Sequence, residues 1–173
     1  MRWLKSKGMK FNPIWGRQAY LIDGKFKFWG GLTVEATGGG PGLIDQHLKL
    51  AEKQGIEVRY GVRAHTLVYD GNVVRGVKVK VNGAQDEILC KSVIIACGGF
   101  ESNAEMRTRY MGPGWELAKV RGTRYNTGDG INMALAIGAS SFGNWSGSHA
   151  VQWDYNAPEF GDLSVGDNFQ KHS

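Results

Sequence analysis

Val93-Ile-Ile-Ala-Cys97 is an unbroken apolar run that stops on Gly98-Gly99, and a helix-start signal, Ser102 to Glu105, follows at once. A strand ending on two residues without side chains lets backbone N–H groups approach a ligand closely. Gly122-Thr-Arg-Tyr-Asn-Thr-Gly-Asp-Gly130 is a second glycine-marked turn into a helix. Two such turns in one chain point to a large bound cofactor. No Gly-x-Gly-x-x-Gly turn follows an N-terminal strand anywhere in the sequence.

The elements that must position these turns can be read from pattern. Asp23-Gly24 reads as a hairpin turn between 19–22 and 25–29. Gly38-Gly-Gly-Pro41 breaks the chain and leads into a helix, in which Leu43, Ile44, His47, Leu48 and Ala51 recur at helical spacing before Gly55. Strands are expected at 56–60, 64–69, 73–81 and 87–91, with Asp70-Gly71 and Asn82-Gly83 as tight turns. Val77, Val79 and Val81 alternate with Lys78 and Lys80, the mark of a sheet with one wet face. The last three of these strands form an antiparallel meander. The run 93–96 lacks alternation and is expected to be a fully buried, parallel strand. Ser102 and Glu105 have capping-box spacing and are expected to start a helix through Tyr110. A short helix is expected from Asp129 to Ile137, and loop from Gly143 onward.

Composition narrows the function. The 173 residues can bury a real core, and 42% hydrophobic with 21% charged residues is ordinary for a soluble protein. The 26 glycines are about twice the usual share. The net charge of +5 is scattered, with no basic stripe, so nucleic acid is not expected as a partner. Cys90 and Cys97 suggest neither a disulfide framework nor a metal cluster, which favours a reducing compartment. No run is long enough for a signal peptide or a membrane span, so a cytoplasmic location is expected.

Helix, strand, meander, then a buried strand running to a glycine pair is the order of the second half of a dinucleotide-binding domain of the large flavoprotein type. The half with the phosphate turn is expected to precede residue 1. The fold class is α/β overall and α+β within this chain. It comprises the second half of an FAD-binding Rossmann-like domain with a three-stranded antiparallel β-meander, expected over 1–100. The start of a substrate-capping domain is expected over 101–173.

These residues carry a family resemblance. The segment 93–106 resembles the apolar strand, Ala-Thr-Gly-Gly-Phe and Asn-x-Glu-Met of the fumarate reductase and succinate dehydrogenase flavoproteins, and 122–130 resembles their Thr-Gly-Asp-Gly turn. Arg17-Gln-Ala-Tyr20, Phe26-Lys-Phe-Trp-Gly-Gly31 and Asn144-Trp-Ser-Gly-Ser-His-Ala-Val-Gln-Trp-Asp154 are similar to the tricarballylate branch of that family.

The resemblance implies FAD as cofactor. It implies that the backbone of Ala64 contacts the adenine, although an ordinary strand alanine explains that residue as well. It implies that Ala96, Cys97, Gly98 and Gly99 line the cofactor at the strand end. Cys97 replaces the family's usual Thr, and a buried structural thiol is the alternative favoured there. Thr127, Gly128 and Asp129 fall on the flavin side, with a plain helix N-cap as the other explanation of Asp129. His149 keeps the His of the family's His-Pro-Thr segment and is the expected substrate contact, with Gln170 as a looser second. His47, His65 and His172 read as structural or exposed.

The implied reaction removes two hydrogens from adjacent carbons of a di- or tricarboxylate, one as hydride to the flavin and one as a proton to a protein base. That base is expected beyond Ser173, so no catalytic residue is assigned, and the chain alone is expected to be inactive. An electron-acceptor protein is implied for the whole enzyme, and self-association is expected through exposed apolar edges. Two other readings stay open: the flavin half of a cobalamin-biosynthesis monooxygenase, and a non-enzymatic β-meander interaction module.

Overall fold

The computed structural model describes residues 1–15, 19–28, 30, 33–150, 153–162 and 164. The chain divides into two compact units, Met1–Tyr60 and Gly61–Ser173. The boundary expected at residue 100 lies inside the second of these.

The first unit holds a short helix α1 (Arg2–Ser6), a ladder of β1 (Phe11–Pro13) with β4 (Val34–Ala36), and the hairpin β2 (Ala19–Ile22) with β3 (Lys25–Phe28). Asp23 and Gly24, both at positive φ, make the hairpin turn. Trp15 packs edge-on to Phe26 at 4.9 Å and against Phe28 at 5.3 Å. Helix α2 (Gly39–Lys53) starts at Gly38 (φ 86) and stops before Gly55 (φ 67), as the glycine spacing predicts. Gln46 ties it to the ladder: its Oε1 accepts from Lys10 N at 2.6 Å and its Nε2 donates to Thr37 O at 3.3 Å.

The second unit is built on the meander β5 (Val62–Tyr69), β6 (Val74–Val81) and β7 (Ala84–Leu89), paired in the order β5-β6-β7, all antiparallel. The alternation chooses the faces: Val79 and Leu67 are buried while Lys78 and Lys80 are exposed. Gly76 is glycine because β7 crosses it closely, with a Cβ there meeting backbone atoms of Ile88 and Leu89. After the meander come α3 (Ala104–Met111), a single 3₁₀ turn (Trp115–Leu117) and α4 (Asp129–Ala136). Met106, Val120, Met133 and Ala157 are buried in this part of the chain, and Met106 is 1% exposed.

Asp70 sets the first meander turn. Its Oδ1 accepts from Val73 N at 2.8 Å and Asn72 N at 3.0 Å, and its Oδ2 from Arg75 Nε at 2.9 Å. The Val73 and Asn72 amides, with Arg75, hold the carboxyl far below the usual aspartate value, at about 2. A folded pKa below the unfolded one gives stabilisation that is complete above about pH 4 and lost as the pH falls toward the folded value. Asp70→Asn is therefore expected to flatten the stability profile of the meander on the acid side of pH 4. An NMR titration of the Asp70 carboxyl should find its midpoint near 2, and a midpoint at the ordinary aspartate value would show the turn open.

Three expectations are corrected. Segments 56–60 and 93–96 are not strands, and neither joins a ladder among the described residues. Nor is the second buried: Ile94 is 91% exposed. A β-strand exists only through hydrogen bonds to a neighbour, and a parallel one needs neighbours at its edges. The cap of α3 is Asn103, whose Oδ1 accepts from Met106 N at 3.1 Å, because Ser102 Oγ is used elsewhere, donating to Thr123 O at 2.5 Å.

Candidate cofactor wall

The glycine pair that ends the 93–99 segment and the Thr-Gly-Asp-Gly turn are brought together. Gly128 N donates to Gly99 O at 3.0 Å and Ser102 N donates to Asn126 O at 3.0 Å, zipping the two segments side by side. Gly128 (φ 80) is the left-handed residue that starts α4, and it rests against Met106 and Phe100. Gly130 is glycine because the strand end lies on it: a Cβ there would meet Ile95 Cγ2 at 2.5 Å and Cys97 Cβ at 3.1 Å.

Asp129 joins these segments to the meander. Its Oδ2 accepts from Arg63 Nη2 at 3.0 Å and Nε at 3.2 Å, and its Oδ1 from Thr127 Oγ1 at 3.0 Å. Arg63 is the residue before Ala64 on β5, and β5 packs against α4. The segments Cys97–Gly99 and Thr127–Asp129 therefore lie together in the second unit, Ala96 leads into the first of them, and Ala64 is next to Arg63 on the strand bonded to Asp129. Two readings change. Asp129 is not the helix cap, a place taken by Gly128, and its carboxylate is a hub between strand and turn. Cys97 is exposed rather than a buried thiol, because no neighbouring strand covers it among the described residues. Arg63 had not been singled out in the sequence. Its one local signal is its place directly opposite Lys80, a like-charge pairing that favours an outside partner for one of them.

A cleft of about 1070 Å³ opens beside this wall. Phe100, Trp115, Phe142, Trp145, Trp153 and Tyr155 line it, with His149 exposed on its margin. Phe100, Tyr110 and Trp145 stack as a cluster with centroids 4.8 to 6.1 Å apart, which fixes the loop leading to His149. Two cations at the cleft are committed to main-chain oxygens. Arg107, only 8% exposed, donates to Trp115 O at 2.8 Å, Glu116 O at 2.9 Å, Ala118 O at 3.2 Å and also to Glu101 O. Lys119 Nζ donates to Tyr155 O and Ala157 O. The Glu116 carboxyl is held below its usual range, first by its own N–H, then by Gly114 N and Thr108 Oγ1, against the opposing push of burial. Trp153 Nε1 is buried without an acceptor. Gln170 lies outside the described residues.

The wall fits one side of an FAD molecule. Its strand end is exposed from Ile94 to Gly98, with no side chain to bar approach at the glycines beyond those of Asn126 and Glu101. Thr127 and Asp129 place polar oxygens beside it, and Ala64 puts a small side chain on the adjoining strand. The phosphate-cradling glycine turn is not among these residues. No group of three or more metal-ligating side chains occurs among the described residues, and no helix there is long and apolar enough to cross a membrane.

Residues 1–153 match the family described as FAD binding domain. The chain is 32% identical over 142 residues to the probable fumarate reductase Ifc3 of Shewanella frigidimarina, across 81% of this chain and 23% of that protein. It is 33% identical over 95 residues to a 3-oxosteroid 1-dehydrogenase of Mycobacterium tuberculosis, across 51% of this chain and 17% of that one. Among solved structures, the open conformation of a flavocytochrome c3 fumarate reductase matches with a TM-score of 0.63 at 32% identity, over 80% of this chain and 24% of that chain. The chain thus spans less than a quarter of the length of these curated relatives. Their names are those of oxidoreductases, and the cofactor of the family is FAD. With a family match over residues 1–153 and a similar solved fold, the chain belongs to the FAD binding domain family.

Proposed function

We propose that this chain forms one wall of the FAD site of an oxidoreductase that removes two hydrogens from adjacent carbons of a di- or tricarboxylate, with tricarballylate as the representative substrate. The observation that carries this reading is the convergence of Cys97–Gly99, Thr127–Asp129 and the Ala64 strand through the Gly128–Gly99 and Arg63–Asp129 hydrogen bonds. Bound FAD supplies the hydride acceptor. Ala64 borders the adenine, Ala96 to Gly99 run along the cofactor, and Thr127 and Asp129 face its ribityl chain. The cofactor half extends over 1–100 and the cap begins at 101.

His149 binds a substrate carboxylate. Its place on the cleft margin supports this, as does the commitment of Arg107 and Lys119 to main-chain carbonyls, which removes two competing cations. Gln170 is a second contact on resemblance alone. The family match and the oxidoreductase relatives favour this reading over a corrin monooxygenase or a non-enzymatic module.

The test is anaerobic flavin bleaching in the complete flavoprotein that carries this chain. Tricarballylate is expected to bleach the flavin, and His149→Ala to slow bleaching about a hundredfold through loss of substrate orientation. Bleaching by a 3-oxosteroid but not by any polycarboxylate would replace the substrate class. A purified protein without flavin would overturn the cofactor reading itself.

A further inference from the structure

The glycine pair at the strand end is covered by two side chains. A Cβ on Gly98 would meet Asn126 Oδ1 at 2.9 Å, and a Cβ on Gly99 would meet Glu101 Oε2 at 2.9 Å. The two covering groups are bonded to each other, Asn126 Nδ2 donating to Glu101 Oε1. Each is also fixed from behind: Arg107 donates to the Glu101 carbonyl, and Ser102 N donates to that of Asn126. Gly98 has a positive φ of 72, which explains glycine there by itself. Gly99 does not, and a Cβ there would meet only the movable end of the exposed Glu101 side chain.

We propose that Glu101 is a positioning residue of the cofactor wall: through its hydrogen bond with Asn126 it clamps the Gly98–Gly99 segment to the Thr127–Asp129 turn. The inference rests on the FAD reading above for its function but not for its geometry. The clamp makes two segments that are far apart in sequence move as one body. It leaves the exposed Ala96 and Cys97 as the open approach to the wall.

A double-mutant cycle on the 173-residue chain tests the clamp. Glu101→Ala and Asn126→Ala are each expected to lower the melting temperature by about 2–4 °C, the loss of one hydrogen-bonded contact in a chain of this size. The double variant should melt no lower than the worse single one, because both substitutions remove the same contact. Glu101→Gln keeps an acceptor for Asn126 and should melt like the parent. Additive losses, or a Glu101→Ala chain that melts like the parent, overturn the clamp.

FAD titration of the complete flavoprotein tests the positioning role. Glu101→Ala should weaken FAD about fivefold, near 1 kcal/mol, with Glu101→Gln restoring it. Equal affinity in the parent and Glu101→Ala overturns that role. Absence of FAD binding in the parent overturns the cofactor reading and leaves the melting cycle to judge the clamp.

Discussion

Arg107→Ala is expected to destabilise the chain by about 4 kcal/mol and to lower its melting temperature by about 8–16 °C. The guanidinium donates to the carbonyls of Glu101, Trp115, Glu116 and Ala118, so it holds the end of the glycine strand segment, α3 and the 3₁₀ turn in one piece. Alanine leaves those oxygens without a charged donor at a site only 8% exposed, where unmade hydrogen bonds cost most. Lysine keeps the charge but not the planar fork, and Arg107→Lys should recover less than half of the loss. Differential scanning calorimetry decides it. A melting temperature within 3 °C of the parent would mean that water replaces the guanidinium at little cost.

Gly128→Ala is expected to cost about 3 kcal/mol. A left-handed φ of 80 costs an alanine about 1–2 kcal/mol, and its Cβ would collide with the Met106 sulfur and lie 3.1 Å from Phe100 Cβ. Met106 is itself buried and cannot swing into solvent. The same substitution at Gly138 (φ 91) meets nothing within 4 Å and should carry only the backbone share. Thermal melts of the two variants separate strain from crowding. Equal melting temperatures would remove Met106 from the explanation. Gly128→Ala should also speed exchange of its own amide, since the bond to Gly99 O depends on that conformation.

Much of the fold was legible because it is local. Asp70-Gly71 and Asn82-Gly83 mark the meander turns and the Val/Lys alternation assigns its faces, all within short stretches of chain. The glycine spacing around α2 is equally self-contained. The capping of α3 was not, since Ser102 and Asn103 both offer a side-chain oxygen. What decides between them is a hydrogen bond from Ser102 to Thr123, on a segment the local pattern does not include. The wall residues were legible as types, glycines and a carboxylate before a helix. Their assembly was hidden, because Arg63 and Asp129 are 66 residues apart and only the fold makes them neighbours. Cys97 and Ile94 failed differently. An apolar run describes what a strand prefers to be covered by, and coverage is a property of the partner.

Val93 to Ala96 therefore carries its apolar side chains partly bare. Its side chains are apolar, Ile94 is almost bare, and its N–H and C=O groups join no ladder among the described residues. The four residues that lead to the glycine pair thus combine apolar side chains with a backbone outside every ladder among the described residues, beside a turn that is itself hydrogen-bonded to Gly99 through Gly128 N.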